Sequence, residues 1–175
     1  MSSQLPDFID LYHGYKDRVF NMALNYVQNR EDAEEITQDV FVAIHRNAHT
    51  FRQQASISTW IYRITINKCQ DVMKSRSRKK RFGFIVSLLG MDGGEIHPHF
   101  DHPGVQMEQR QATEFLFRCI NELPENQKTA LLLAKTEQKT QVEVGEIMGI
   151  SAKAAESLIQ RAKANLATKL KQREG

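Results

Sequence analysis

Residues 140–166 read TQVEVGEIMGISAKAAESLIQRAKANL, and this stretch decides the predicted fold of the C-terminal part of the chain. Thr140 and Glu143 have the spacing of a capping box, which predicts that a helix begins at that point. Gly149 permits a tight turn, and Ser151 can cap a second helix. Two short helices joined by a glycine-containing turn are typical of a helix-turn-helix, although a plain helical hairpin fits the same periodicity.

The second of these helices is predicted to have an apolar face and a face of small and polar side chains. The predicted inward positions are Ala155, Leu158, Ile159, Ala162, Leu166 and Leu170. Small residues on the other face allow a helix to enter a DNA major groove, which is about 12 Å wide. This helix, predicted at 152–171, is the seventh helical segment of the chain and is called α7. The residues of it that are expected to face duplex DNA form the α7 face: Lys153, Ala154, Ser157, Gln160 and Arg161.

The rest of the chain also has helical periodicity and almost no strand signal, so an all-α fold is predicted. Apolar residues recur at helical spacing in seven segments. The first is 7–27, the second begins at residue 30, the third begins near residue 56, and the last four are 108–121, 125–136, 141–148 and 152–171. Glycine and proline interrupt residues 83–107, which is typical of a flexible linker. We therefore expect two small helical domains, residues 1–82 and 108–175, each able to fold without the other.

The third predicted helix joins the single tryptophan of the chain to its densest positive charge. Between its apolar faces runs a line of polar side chains, the polar ridge: Thr59, Arg63, Asn67, Gln70 and Lys74. At about 1.5 Å per residue the polar ridge is about 22 Å long, enough to follow several nucleotides of a single strand. Trp60 can stack on an unpaired base or can belong to the core.

Charge is unevenly distributed along a chain whose formal net charge is only +3. Residues 75–81, SRSRKKR, form a basic tail with five positive charges, which must be solvated or matched by an anion such as nucleic acid. Acidic residues crowd the preceding helix, and its outer side, the acidic face, carries Asp32, Glu35, Gln38, Asp39 and Val42. Acid pairs can also bind a nuclease metal, but no His or Cys lies at matching spacing.

Cysteine and hydropathy place further limits on the class of protein. Cys69 and Cys119 are too few for a disulfide framework, and no apolar run has the length of a signal peptide or a membrane span, so a cytoplasmic protein is expected. The linker contains HPHFDH at residues 97–102, which can bind zinc or nickel or can be an ordinary linker. We expect no cofactor.

Four blocks of the sequence, in this order and spacing, resemble a known family. They are DAEEITQDVFVAIHR at 32–46, TFRQQASISTWIYRITINKCQD at 50–71, LPENQKTALLL at 123–133 and VEVGEIMGISAKAAESLIQRAKANL at 142–166. Together they resemble an extracytoplasmic-function sigma factor, the smallest class of the sigma-70 family of bacterial RNA polymerase. The resemblance implies a non-enzymatic transcription initiation factor that binds core RNA polymerase and directs it to promoters.

The resemblance also assigns roles to the surfaces. It implies that the acidic face docks on the clamp helices of the largest polymerase subunit, and that the α7 face reads the duplex minus-thirty-five element. It implies that the melted nontemplate strand of the minus-ten element is bound by Arg52, Gln53, Ser56, Trp60, Arg63, Asn67, Lys74, Arg76 and Arg78. An anti-sigma factor is a further implied partner. Glu156 stands where many family members carry a basic residue, which removes one expected phosphate contact.

Two other functions fit parts of the pattern. A stand-alone helix-turn-helix regulator would use duplex DNA alone and would need no acidic docking face. A metal-responsive regulator would use the linker histidines.

Overall fold

In the computed structural model the described residues are 5–51, 54–88 and 110–172, and they are almost entirely helical. The helices are α1 (Phe8–Val27), α2 (Arg30–Asn47), α3 (Ile57–Leu88), α4 (Arg110–Asn121), α5 (Glu125–Lys135), α6 (Gln141–Met148) and α7 (Ala152–Lys171). One 3-10 turn, Ala48–Thr50, follows α2, and no strand occurs within the described ranges. The predicted all-α fold is confirmed.

The break between α1 and α2 lies at the predicted position and has a local cause. Gln28 ends α1 in the left-handed conformation, with φ of 55°, and its N–H donates to the carbonyl of Leu24. The side chain of Asn29 then accepts a hydrogen bond from the N–H of Asp32 and caps α2. The chain therefore turns within two residues, and α1 and α2 pack side by side.

The N-terminal domain consists of α1, α2 and α3 around a shared core. The apolar residues that recur at helical spacing along α2 are all buried: Ala33, Ile36, Val40, Phe41 and Ile44. It meets Met22 and Tyr26 of α1 and Ile61 of α3, all of which are almost completely buried. This packing holds the outer side of α2 and the polar side of α3 in fixed positions at the surface.

The C-terminal domain packs α5 and α6 against α7, with α4 at its edge. The capping box of Thr140 and Glu143 and the cap of Ser151, which accepts from the N–H of Ala154, are both present as predicted. Gly149 ends α6 with φ of 69° in the left-handed region. Gly145 lets the α6–α7 turn pack closely, since an added Cβ would lie 2.8 Å from the carbonyl oxygen of Ile150.

The third helix extends past residue 82, the predicted end of the N-terminal domain. It continues to Leu88, so the first residues of the predicted linker, 83–88, are helical. The remaining linker residues, including the HPHFDH stretch, lie outside the described residues.

The two domains contact each other. α3 packs against α6 and α1 against α5, and buried side chains from both domains form one continuous cluster. Sequence analysis anticipated the domains but not this contact, because the linker composition suggested only a flexible tether. Whether each domain folds by itself stays a prediction.

Candidate nucleic-acid and polymerase interfaces

The polar ridge begins one turn later than predicted. Thr59 is 4% exposed, and its hydroxyl shares a hydrogen bond of 2.9 Å with the hydroxyl of Ser56. Ser56 also accepts from the N–H of Thr59 and so caps the start of α3 while remaining exposed. The expectation that Thr59 lies on the surface ridge is wrong, because its side chain is buried.

Trp60 is neither a fully buried core residue nor a fully exposed one that is free to stack on a base. Its side chain is half-buried and packs against the core, and its ring centroid is 5.3 Å from that of Phe51. The two rings are tilted by 49°, so they tie the loop before α3 to the helix. Arg52 and Gln53, which precede this helix in the same loop, lie outside the described residues.

The middle of the polar ridge faces the C-terminal domain. Arg63 donates from Nη2 to the carbonyl oxygen of Glu146 at 2.6 Å and from Nε to that of Ile147 at 3.2 Å. Lys74, farther along the ridge, lies 3.7 Å from a carboxylate oxygen of Glu125. Two basic residues predicted to bind DNA therefore already have partners in the other domain.

A cleft of about 370 Å³ separates the polar ridge from the turn of the helix-turn-helix. Arg63, Asn67 and Gln70 line one side of this cleft, and residues of the opposite domain, including Ile147 and Gly149, line the other. Asn67 remains exposed to solvent within it. The cleft is at the small end of the range of about 300–1,000 Å³ that is typical of small-molecule pockets.

The basic tail divides into one half-buried cation and four exposed ones. Arg76 donates from Nη1 to the carbonyl oxygen of Val27 at 3.0 Å and pairs through Nη2 with the carboxylate of Asp32. Burial lowers the pKa of Arg76. Arg76 was predicted to bind phosphate, and this expectation needs correction, because its guanidinium neutralises Asp32 and the C-terminal end of α1. The exposed members are Arg78, Lys79, Lys80 and Arg81.

Four of the five residues of the acidic face are exposed on α2, and the fifth, Asp32, is half-buried. Glu35, Gln38 and Asp39 are exposed, and Val42, 47% exposed, supplies an apolar centre. Asp39 lies 3.5 Å from Lys68 of α3 in a solvent-exposed ion pair, which holds it only weakly. Asp32 is half-buried against Arg76, so it is not available on the same surface as the other four.

The α7 face is accessible in this structure. Lys153, Ala154, Gln160 and Arg161 are exposed, and Ser157 is half-buried. Ala155, Ile159 and Ala162 are buried beneath them, as predicted, and Leu158 packs partly against the core. Glu156 accepts a hydrogen bond of 3.4 Å from Gln160. The helix therefore presents small and basic side chains on the side away from its own domain.

Sequence analysis missed Lys128. This lysine is 4% exposed, and its ammonium donates to the carbonyl oxygen of Tyr26 at 2.7 Å and to the amide oxygen of Asn121 at 2.5 Å. Burial lowers the pKa of Lys128 to about 8. A usable signal was its position four residues before Leu132, on the apolar stripe of α5, where a solvated lysine is not expected.

Two negative observations apply to the part of the chain that the structure describes. No helix there is long and apolar enough to span a bilayer. Within the same ranges no group of three or more His, Cys, Asp and Glu side chains is arranged to hold a metal ion. The histidines at 97, 99 and 102 are not among these residues.

Comparison with protein families gives two matches, one in each domain. Residues 11–79 match the model of sigma-70 region 2, and residues 116–166 match the model of sigma-70 region 4. Among similar proteins is an ECF RNA polymerase sigma factor, SigW of Bacillus subtilis, 26% identical over 94% of this chain and 89% of that protein. Another is the ECF RNA polymerase sigma-E factor of Haemophilus influenzae, 27% identical over 89% of this chain and 83% of that protein.

Solved structures with a similar fold cover nearly the whole chain. One is CnrH in complex with the cytosolic domain of CnrY, with a TM-score of 0.68, 19% identity and coverage of 95% of this chain and 88% of that one. A second is the sigma factor RpoE of Bartonella quintana in complex with the anti-sigma factor NepR, with a TM-score of 0.66, 18% identity and coverage of 95% and 98%. These similarities support the arrangement of helices described above.

Proposed function

The chain belongs to the extracytoplasmic-function group of the sigma-70 family and is a promoter-specific transcription initiation factor, and on that premise we propose how its surfaces divide the work. The N-terminal domain binds core RNA polymerase and the minus-ten element, and the C-terminal domain binds the minus-thirty-five element. The observation that carries the proposal is an exposed α7 face on a correctly capped helix-turn-helix.

The proposed minus-thirty-five contacts come from the first half of α7. The left-handed turn at Gly149 and the cap at Ser151 set the angle between α6 and α7. Lys153 and Arg161 can neutralise phosphates, and Gln160 can read a base edge in the major groove. Ala154 and Ser157 are small enough to let the helix approach.

The proposed minus-ten contacts come from the start of α3 and the polar ridge. Arg63 and Asn67 bind the melted nontemplate strand, with Trp60 supplying an aromatic edge, and Lys74 and Arg78 bind its backbone. Arg52, Gln53 and Ser56 belong to the proposed site through the family resemblance and can hydrogen-bond the edge of an unpaired base. Arg76 is not included, because it is bonded to Val27 and Asp32.

The proposed polymerase-binding surface is the exposed part of the acidic face. Glu35 and Asp39 steer the domain toward a basic partner, and Val42 supplies apolar contact at the centre. Catalysis belongs to the polymerase, so the chain is not an enzyme and acts in the cytoplasm. Similar folds were solved with an anti-sigma factor bound, and we infer that an inhibitor of this kind also binds this chain.

Charge reversal on the acidic face tests this proposal. The Glu35→Lys, Asp39→Lys variant is expected to lose binding to core polymerase in a pull-down and to lose run-off transcription, while its helical circular dichroism is unchanged. Glu34→Lys is the matched control, since Glu34 lies on the same helix and pairs with Arg30. Equal binding by the double variant and the control would overturn the assignment of the polymerase surface.

A further inference from the structure

We propose that Glu156 makes the α7 face select a cytosine in the duplex minus-thirty-five element, by holding the amide of Gln160 and by presenting its own carboxylate. Glu156 acts as a specificity residue, since it favours one base over the others and does not add to the attraction for DNA as a whole. The inference deepens, and rests on, the proposed role of the α7 face in reading this element. The observation behind it is a hydrogen bond of 3.4 Å from Gln160 Nε2 to Glu156 Oε1.

Glu156 lies on the same side of α7 as Gln160. Residues four apart in a helix are neighbours on its surface, and these two are joined directly by the hydrogen bond. Gln160 is exposed and Glu156 is half-buried, whereas Ala155 and Ile159, the residues one position before each of them, are buried. The carboxylate therefore lies at the edge of the face that is proposed to enter the major groove.

Glu156 is the single acidic residue of α7. The other charged residues of this helix are lysine and arginine: Lys153, Arg161, Lys163, Lys169 and Lys171. A DNA-binding helix gains affinity from cations, because they neutralise phosphates, and a carboxylate in the same place lowers affinity for every sequence. A carboxylate contributes to DNA binding only where it accepts a hydrogen bond from a base, so its useful contacts are confined to base edges.

The hydrogen bond fixes which way the amide of Gln160 is turned. An ionised carboxylate can only accept hydrogen bonds, so the NH2 group of the amide, and not its carbonyl oxygen, faces Glu156. A glutamine that is free to turn reads adenine by accepting from N6 and donating to N7. With its NH2 group held by Glu156, Gln160 offers a base mainly its carbonyl oxygen, which is an acceptor.

Two neighbouring acceptors match one base better than the other three. In the major groove guanine presents two acceptors, adenine an acceptor beside its amino group, and thymine an acceptor beside its methyl group. Each of these acceptors repels an oxygen of Glu156 or Gln160. Cytosine presents only the N4 amino group, which is a donor, and a carboxylate that accepts from N4 is one of the regular side-chain pairings. The pair of Glu156 and Gln160 therefore favours cytosine on the strand that the first half of α7 approaches.

The test uses the full-length chain with core polymerase and a library of duplexes whose sequence is fully randomised. Bound DNA is sequenced, which gives the base preference at every position of the upstream element without assuming its sequence. For the unsubstituted chain we expect one upstream position at which cytosine is preferred about tenfold over the other bases, as one good side-chain pairing provides. In the Glu156→Ala variant we expect this preference to disappear, with adenine tolerated at the same position, and total affinity for DNA to rise.

A double-substitution cycle separates this role from a contribution to helix stability. A side-chain pair at this spacing stabilises a helix slightly whether or not it reads DNA, and such a role changes Tm but not base preference. If Gln160 acts through Glu156, the variant with both residues replaced by alanine loses no more cytosine preference than Glu156→Ala alone. Glu156→Gln keeps an acceptor without the charge and should retain part of the preference. The matched control is Glu146→Ala, which removes the same charge at an exposed position of α6 and is expected to leave the preference unchanged.

Three results overturn the inference: a cytosine preference that persists in Glu156→Ala, losses that add fully in the double variant, or a preferred base other than cytosine at the position changed by Gln160→Ala. Failure of the proposed function has a different signature. If the unsubstituted chain with core polymerase selects no upstream element at all, the role of the α7 face itself is wrong. If it selects one, and Arg161→Ala weakens binding while Glu156→Ala changes no preference, the proposed function stands and only this inference fails.

Discussion

The α7 face and the polar ridge of α3 carry similar side chains, but they differ in what lies over them. The α7 face is built by local features, two caps and one glycine, and its side chains remain exposed. The polar ridge is equally helical, yet Arg63 and Lys74 contact the C-terminal domain. One proposed DNA surface is thus without contacts to the other domain at its named residues, whereas the second contributes two basic side chains to such contacts.

The difference indicates an order of events in promoter binding. The proposed duplex recognition by α7 uses side chains that are already exposed, whereas the proposed binding of the melted strand by Arg63 competes with its hydrogen bonds to the end of α6. Because strand separation itself follows duplex binding, the accessible surface is the one required first. Polymerase binding at the exposed acidic face can precede both steps.

The largest effect is expected from Gly145→Ala, which tests whether the α7 face depends on the close turn before it. The added Cβ would lie 2.8 Å from the carbonyl oxygen of Ile150 and 3.2 Å from the N atom of Ala152, both of them backbone atoms. We expect the free energy of unfolding to fall by about 1–3 kcal/mol, as for other overpacked sites. Duplex binding should fall with it.

The control for this substitution is Gly14→Ala in α1, where an added Cβ meets nothing within 4 Å. A helix-interior alanine is about 0.5–1 kcal/mol more favourable than glycine, so this variant should be stabilised. Urea unfolding of both variants measures the contrast. Equal changes would show that the contact at Gly145 does not control the turn.

The second prediction assigns the polar ridge to promoter opening and the α7 face to duplex binding, so substitutions in the two surfaces should affect different steps. Arg63→Ala with Asn67→Ala is expected to slow promoter opening about tenfold, a loss of about 1.4 kcal/mol, with little change in closed-complex formation. A pre-melted promoter bubble should restore part of the rate.

The corresponding α7 variant, Arg161→Ala, is expected to weaken duplex binding and to lower the salt slope by about one unit. Filter binding at several salt concentrations and permanganate footprinting of the bubble measure the two variants. Loss of duplex binding by the ridge variant would mean that the ridge has been assigned to the wrong DNA element.

A smaller effect is expected at the cap of α7. Ser151→Ala removes the acceptor for the N–H of Ala154, and loss of such a cap costs about 1 kcal/mol. Thr168→Ala, in the last turns of the same helix, removes a hydroxyl that donates to the carbonyl of Ala164 and is the matched control. Thermal unfolding should show a lower Tm for the first variant and little change for the second.

Stability is also expected to depend on pH through Lys128, at the contact between the domains. Lys128 has a pKa near 8 in the folded chain against 10.5 as an ordinary lysine, because burial disfavours its charged form. Because the pKa of Lys128 is lower in the folded chain than in the unfolded chain, the unfolded chain binds this proton more readily. The free energy of unfolding therefore falls as pH decreases from 10.5 to about 8. Stability should therefore rise from about pH 8 to about pH 9, by at most about 1.4 kcal/mol per pH unit.

Other titrating groups limit this gain to that interval. Burial raises the pKa of Cys69 from 9.0 to about 12 and that of Tyr26 from 10.0 to about 12, so both remove stability at higher pH. Arg76 and Glu125 are the other charges acting on Lys128, with opposite signs. Urea unfolding across the interval should show a rise that Lys128→Met abolishes; a rise that persists in the variant would assign it to another group.

Local structure was predictable because its causes lie a few residues apart. The α6 capping box, the left-handed Gly149 and the Ser151 cap all act within four positions, and each formed as expected. The buried stripe of α2 followed from helical periodicity alone. Thr59 shows the limit of this reasoning. Helical periodicity placed it on the polar ridge, whereas in the structure its side chain is buried and its hydroxyl bonds to that of Ser56.

The sequence by itself determined the helices, their caps, the two domains and the family to which the chain belongs, since these depend on local periodicity and on motifs in order. Only the tertiary structure decided which charged residues are free. Arg63 bonds to a residue 83 positions away, and Lys128 to one 102 positions away. Both side chains donate to main-chain carbonyls, which every residue carries, so no side-chain pattern in the sequence marks the partner. The exposure of the two proposed DNA surfaces therefore depends on how α3 packs against α6 and α1 against α5.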